Sequence, residues 1–203
     1  MTISGQLVQF GGSYAEIHQG NCRFVMQLTE RELPHYTYNE YSAWEGRWEL
    51  IQGIPYAMSP SPSYAHQRIS QKIARLLDEA LDDCASCRAV LPVDWKIADD
   101  TVVQPDNMVL CYQPEGLFLT KAPSLIVEIL SPSTSSKDRI TKFNLYQEEG
   151  VDYYCIVDPA TKTTKIYVLQ NGRYSKLLDA TDETVTFTLK ECVFDVDFSR
   201  IWD

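Results

Sequence analysis

The chain has 203 residues, 44% of them hydrophobic, enough for one substantial core that buries about 70% of the surface its unfolded form exposes. Twenty-eight acidic against 18 basic residues leave a formal net charge of −10, which excludes a protein that coats nucleic acid through strong nonspecific attraction. No apolar run approaches ~18 residues, and Met1-Thr2-Ile3-Ser4-Gly5-Gln6 has neither a basic start nor a continuous apolar stretch. The expectation is a soluble cytoplasmic protein with no membrane partner.

In chain order, residues 1–36 read as an appended arm or hairpin, with Gly11-Gly12 and a strand at Cys22–Leu28. The domain proper is expected over 37–203. Asn39–Trp44 reads as a short helix, and Trp48–Ile51 and Ile54–Met58 as a hairpin turning at Gln52-Gly53. Ser59-Pro60-Ser61-Pro62-Ser63 is a stiff polar loop. His66, Ile69, Ile73, Leu76, Leu77 and Leu81 then recur at helical spacing, which predicts a helix over 64–82.

Ala89–Ile97 and Asn107–Cys111 read as strands, and Leu125–Leu130 is the most continuous apolar strand, as a central position in a sheet requires. After Ser131-Pro132-Ser133-Thr134-Ser135, the residues Ile140, Phe143, Leu145 and Tyr146 predict an amphipathic helix ending at Gly150. Tyr153–Val157, Lys165–Leu169, Gly172–Ser175 and Thr184–Thr188 close the chain as strands. The strand, helix, strand passage over 124–157 demands a crossover, and the flanking hairpins make the sheet mixed: an α/β (α+β) core flanked by helices.

The six cysteines, Cys22, Cys84, Cys87, Cys111, Cys155 and Cys192, sit mostly in apolar segments and read as reduced, buried thiols. Cys84-Ala85-Ser86-Cys87 has zinc-like spacing, but no second such pair exists, so a plain helix-end pair is expected. No Gly-x-Ser-x-Gly elbow, zinc-spaced histidines or Gly-rich loop with lysine is present, which argues against the common serine hydrolase, zinc hydrolase and Walker-type routes.

Chemistry concentrates between Gln104 and Lys142. Glu128 stands inside Ser124-Leu125-Ile126-Val127-Glu128-Ile129-Leu130, where a charge must be paired with a cation or placed on a metal. Asp106 follows Pro105, and Lys142 follows in the helical segment. Two carboxylates and a lysine suit phosphodiester hydrolysis: hard oxygens hold Mg²⁺ or Mn²⁺, and a lysine orients water or stabilises negative charge. Plainer readings stand beside these. Asp106 also suits a turn, Glu128 an ion pair with Lys142 or Arg139, Glu49 a solvated strand edge, His66 packing beside the serine-proline loop, and Lys137 and Arg139 a solvated helix face.

The succession Trp48-Glu49-Leu50-Ile51-Gln52-Gly53, His66 opening a helix, Gln104-Pro105-Asp106, Ile126-Val127-Glu128-Ile129-Leu130-Ser131-Pro132-Ser133-Thr134, Lys137-Asp138 with Lys142, and Gly150–Pro159 resembles the Uma family of restriction endonucleases, within the PD-(D/E)xK nuclease-like superfamily. The resemblance spans residues 38 to about 200. It implies a restriction-endonuclease-like core with Asp106 and Glu128 as metal ligands, the main-chain carbonyl of Ile129 as a further one, and Glu49 as an additional acid. Where the superfamily usually has lysine, two residues after the second acid, this chain has Leu130, and Lys142 takes the role. Gln104, His66, Lys137 and Arg139 are candidates to contact substrate. The implied activity is Mg²⁺- or Mn²⁺-dependent cleavage of DNA, bound weakly or through the metal, by a homodimer, since cutting two strands calls for two sites. The alternative is a catalytically inactive nuclease fold acting as a DNA- or protein-binding module.

Overall fold

The computed structural model describes residues 6–10, 13–18, 21–25, 34–58, 62–131 and 137–202. The chain divides into two units, Met1–His35 and Tyr36–Asp203. In the first, β1 (Gln6–Phe10), β2 (Ser13–His18) and β3 (Asn21–Val25) form an antiparallel meander. Only β3 was expected from the sequence, and residues 26–28 of its expected span lie outside the described residues.

The second unit begins with α1 (Tyr38–Tyr41) and the hairpin of β4 (Trp48–Ile51) and β5 (Ile54–Ala57). Gln52 and Gly53 both take positive φ, 50° and 76°, the pairing that a two-residue hairpin turn needs to match strand twist. Helix α2 (Tyr64–Ala80) is capped by Ser63, whose side chain accepts a hydrogen bond from the His66 N–H. It buries Ile69, Ile73, Leu76 and Leu77, the stripe its spacing predicts.

Beyond α2 lie β6 (Arg88–Val90), β7 (Trp95–Ala98), β8 (Thr101–Val103), β9 (Asn107–Leu110) and β10 (Leu125–Ile129). The single strand expected over 89–97 is two: Leu91-Pro92 interrupts it, because proline cannot donate to a ladder. A π-type turn (Lys137–Thr141) leads into α3 (Lys142–Glu148), followed by β11 (Tyr153–Asp158), β12 (Thr163–Gln170), β13 (Arg173–Ala180), β14 (Thr184–Leu189) and β15 (Cys192–Asp197).

The main sheet has the order β13-β12-β11-β10-β9-β6. Strand β10 runs parallel to β11 and antiparallel to β9, so the expected crossover is made through α3 and the sheet is mixed. A second sheet has the order β5-β4-β8-β7, and β14 pairs with β15.

All five residues of β10 are buried, and their alternation assigns them to two cores. Leu125, Val127 and Ile129 join the stripe of α2 and the β14–β15 residues Val185, Phe187 and Phe194. Ile126 and Leu130 join Trp95, Leu145, Tyr146 and Tyr154 on the other face, and Glu128 points the same way by the period of two.

Phe187 is 1% exposed, stacks on Phe194 with centroids 5.6 Å apart and takes the edge of Tyr153 at 5.1 Å. Phe187→Ala is expected to cost about 3–5 kcal/mol, read as a lowered urea midpoint at unchanged slope. A loss under about 1 kcal/mol would show that the hairpin is not integral to the core.

Candidate active site

Three charged side chains that the sequence scatters over 94 positions meet inside the second core. Glu49 arrives from β4, Glu128 from the middle of β10 and Lys142 from the first residue of α3. Lys142 Nζ lies 2.7 Å from Glu128 Oε1 and 2.8 Å from Glu49 Oε1. All three side chains are at least 96% buried. Tyr146 donates its hydroxyl to Glu128 Oε1 at 2.8 Å, and the Gln104 main-chain N–H donates to Glu49 Oε1 at 3.0 Å.

Tyr146 was legible in the sequence only as part of an apolar stripe. The signal for its polar role is its position four residues after Lys142, which puts both on one helix face. Its ring lies along Trp95, with centroids 5.9 Å apart, and edge-on to Tyr154 at 5.1 Å, so the hydroxyl is held by packing. Leu130, where a lysine was wanting, is 8% exposed on the same face of β10 as Glu128. The cation beside Glu128 is Lys142, which comes from α3 rather than from the same strand.

Asp106 occupies the link between β8 and β9, with its side chain 18% exposed. One of its oxygens, Oδ2, accepts from the Ile129 N–H at 2.8 Å and lies 3.1 Å from His66 Nε2. In a parallel-paired strand, the N–H and C=O of one residue face the same neighbour. Strand β9 begins at Asn107, which is paired with Val127, so the edge of Ile129 lies beyond it, and the Ile129 carbonyl opens on the Asp106 side. Asn107 fixes this corner to α2: it accepts from the Ser70 hydroxyl at 3.1 Å and donates to the Ser70 carbonyl at 3.3 Å.

Behind Glu49, Gln104 accepts from Arg47 and donates to Asp94 Oδ1 at 2.9 Å, while Tyr41 donates to Asp94 Oδ2 at 3.1 Å. Burial, reinforced by the Asp94 carboxylate, pushes the Tyr41 phenol well up, so it remains a proton donor at neutral pH. Arg47 and Asp94 carry no motif and were missed. Arg139 pairs with Asp158 at 2.8 Å, a partner on β11 that its spacing did not disclose. The Lys137 side chain lies outside the described residues.

A cleft of about 520 Å³ opens beside Asp106, lined among others by Arg47, Tyr64, His66, Arg68 and Pro92. It places two arginines at the mouth of an otherwise acidic protein.

Residues 38–195 match the Uma2 family, described as "Putative restriction endonuclease". The chain belongs to the Uma2 family. A solved "putative nuclease belonging to DUF820" from Anabaena variabilis superposes with a TM-score of 0.68 at 20% identity, over 82% of this chain and 97% of that one. The shared architecture is the restriction-endonuclease-like α+β fold expected from the sequence. An uncharacterised Synechocystis protein, slr1290, is 34% identical over 123 residues. The match covers 56% of this Uma2 chain and 63% of that protein's length. Among the described residues, no helix is long and apolar enough to cross a membrane.

Lys142 separates two buried carboxylates. Lys142→Met is expected to destabilise the protein by about 3–5 kcal/mol, the cost of leaving buried charges uncompensated. Combining it with Glu128→Gln should cost less than the two single losses added, which equilibrium unfolding in urea measures directly. Strict additivity would mean that the two groups do not interact.

Proposed function

We propose that this Uma2 protein is a divalent-metal-dependent endonuclease that hydrolyses DNA phosphodiester bonds by water attack. The observation that carries the reading is the buried ammonium of Lys142 held at 2.7 and 2.8 Å between Glu128 and Glu49, beside an Asp106 carboxylate bound to the Ile129 N–H.

In donor type the set suits a hard cation, although among the described residues the acids do not form a group of three within 4.8 Å of one another. Asp106, Glu128 and the Ile129 carbonyl offer only oxygens, the ligands that Mg²⁺ and Mn²⁺ prefer. Charge agrees as well. Three carboxylates against one ammonium leave −2, which a divalent ion neutralises. Such an ion supplies Lewis-acid stabilisation of the charge that develops on the phosphoryl oxygens.

The chain's own residues divide the remaining work. His66 and the Ile129 N–H fix Asp106 Oδ2 and aim the carboxylate into the cleft. Tyr146 and Lys142 fix Glu128, and the Gln104 N–H fixes Glu49. Lys142, held by both carboxylates, acts as a donor that orients water and stabilises negative charge. Water oxygen forms the new P–O bond as the bond to the leaving sugar oxygen breaks. The water proton passes to solvent, and solvent protonates the leaving oxygen.

Arg47 and Arg68 at the cleft supply the positive field that the net charge of −10 denies the molecule as a whole. DNA binding by this protein is correspondingly weak without metal. A homodimer, with one site per strand, completes a double-strand cut, and the cytoplasm is the compartment that fits this work.

One observation favours a second reading. Glu128 Oε1 is engaged by both Lys142 and Tyr146, an arrangement that also satisfies a purely structural ion pair in a nuclease fold retained for binding.

Supercoiled, linear and single-stranded DNA incubated with Mg²⁺ or Mn²⁺ decides between them. The wild type should cut, while Asp106→Asn and Glu128→Gln, each folded by circular dichroism, should lose activity by about 100-fold or more, since the charge stabilisation of a metal is worth several kcal/mol. Undiminished cutting by folded Glu128→Gln would overturn the nuclease assignment. A wild type that cuts nothing and binds no Mn²⁺ would favour the binding module.

A further inference from the structure

Far from the acids, four of the cysteines converge. Cys84 and Cys87 lie in the turn between α2 and β6, Cys111 directly follows β9, and Cys192 opens β15 after the turn at Lys190. Strands β6 and β9 pair Arg88 with Leu110, so the next positions outward, Cys87 and Cys111, face one another with Cα atoms 4.0 Å apart. The β14–β15 turn brings Cys192 to Cys84 with Cα atoms 5.7 Å apart.

The four are paired as the disulfides Cys84–Cys192 and Cys87–Cys111. This corrects the expectation of reduced thiols for these four, whereas Cys155 is a free, buried thiol as expected and the Cys22 side chain lies outside the described residues. It also supplies what the sequence appeared to lack. The partners of Cys84-x-x-Cys87 are not a second Cys-x-x-Cys but two cysteines from separate strands.

The two disulfides are not independent staples. The Sγ atoms of Cys84, Cys87 and Cys192 lie within 4.8 Å of one another, although they belong to different bonds. A tetrahedral zinc at about 2.3 Å from each sulfur spaces its ligands by about 3.8 Å, so once the disulfides are reduced and the bonded sulfurs part, these three are within reach of one ion, and Cys111, bonded to Cys87, is the nearest source of a fourth ligand. The Ser86 hydroxyl lies 3.2 Å from Cys192 Sγ, 3.8 Å from Cys84 Sγ and 3.9 Å from Cys87 Sγ. A single donor within reach of three sulfurs suits thiolate ligands, which outer hydrogen bonds orient and stabilise. Cys87, Cys111 and Cys192 are buried, whereas Cys84 is half-buried and Ser86 exposed, which leaves an entry path for an ion.

We propose that the reduced protein binds one structural Zn²⁺ through Cys84, Cys87, Cys111 and Cys192, and that the two disulfides are the oxidised form of this site. Each disulfide takes two electrons and two protons from a dithiol reductant, which itself becomes a disulfide. The zinc then displaces four protons from the four thiols. The site is soft, thiolate and closed, the opposite of the open oxygen set around Asp106.

The test uses the full chain reduced by a dithiol, freed of excess reductant under anaerobic conditions and titrated with Co²⁺ and then Zn²⁺. The expected result is one Co²⁺ per chain with the strong ligand-field absorption of a tetrahedral site and a sulfur-to-cobalt charge-transfer band, both bleached by one equivalent of Zn²⁺. Bound Zn²⁺ should protect four thiols from a thiol reagent.

Cys155→Ser and Asp106→Asn should leave these signals intact, and the latter separates this site from the acidic one. Cys192→Ser should abolish tetrahedral binding, and Ser86→Ala should weaken it by about 10- to 100-fold. Because the wild-type spectrum tests the site directly, a misfolded cysteine variant does not shield the proposal. Reduced wild type that shows no charge-transfer band, or whose thiols stay reactive with Zn²⁺ present, overturns it and leaves a double disulfide staple.

Discussion

Everything at the centre of this molecule depends on one ammonium. Glu49 and Glu128 come from different sheets, are almost wholly buried, and would repel one another at the distances at which Lys142 holds them. A charge removed from water costs several kcal/mol unless its partners are placed well, and here the hydrogen bonds from Tyr146 and the Gln104 N–H complete the compensation. The triad therefore fixes geometry rather than adding much net stability. The small sheet, the large sheet and α3 must meet in one register, or three charges are stranded in an apolar core.

That requirement explains the division of labour between the faces of β10. The face of Leu125, Val127 and Ile129 is apolar throughout and packs on α2 and the β14–β15 hairpin, where area alone stabilises. The opposite face gives up one apolar position to Glu128 and surrounds it with the aromatic rings of Trp95, Tyr146 and Tyr154. Rings that stack edge and face leave little rotamer freedom, so the hydroxyl of Tyr146 is delivered to Glu128 with small entropic cost. Asp106, which lines the cleft, has its Oδ2 held instead by a main-chain N–H, which side-chain motion cannot displace, together with His66.

Much of this was readable in the amino-acid order, and the reasons for success and failure differ by residue. Glu128 was conspicuous because a carboxylate breaks an otherwise unbroken apolar strand. Helix α2 was legible from its 3.6-residue stripe, and the crossover from the strand, helix, strand succession. Strand β15 was missed even though Cys192, Phe194 and Val196 alternate with Val193, Asp195 and Asp197, because the apolar Val193 stands on its exposed face and blurs the period. The split between β6 and β7 needed more weight on Pro92. Tyr146, Arg47 and Asp94 belong to hydrogen-bond chains that close only in three dimensions, and no local spacing announces a partner 53 positions away, as Asp94 is for Tyr41. The cysteines failed for the same reason: metal spacing was sought along the chain, while register across β6 and β9 and the turn of a distant hairpin made the cluster.

The two clusters are joined by the same two elements. Helix α2 carries His66 in its first turn and is followed by Cys84, so its 17 residues span about 25 Å between the acids and the sulfurs. Strand β9 is preceded by Asp106 and followed by Cys111, a separation of about 16 Å. Asn107 and Ser70 lock these elements together at the acidic end through two buried hydrogen bonds, and the cysteines lock them at the other. A helix and a strand fixed at both ends cannot slide without breaking one lock. The position of Asp106 Oδ2 against the Ile129 N–H, on which the geometry of the acidic site rests, is thereby set by contacts made well outside it. The two ends also differ in chemistry, with hard carboxylate oxygens at one end of α2 and soft sulfurs at the other, and such donors prefer different ions.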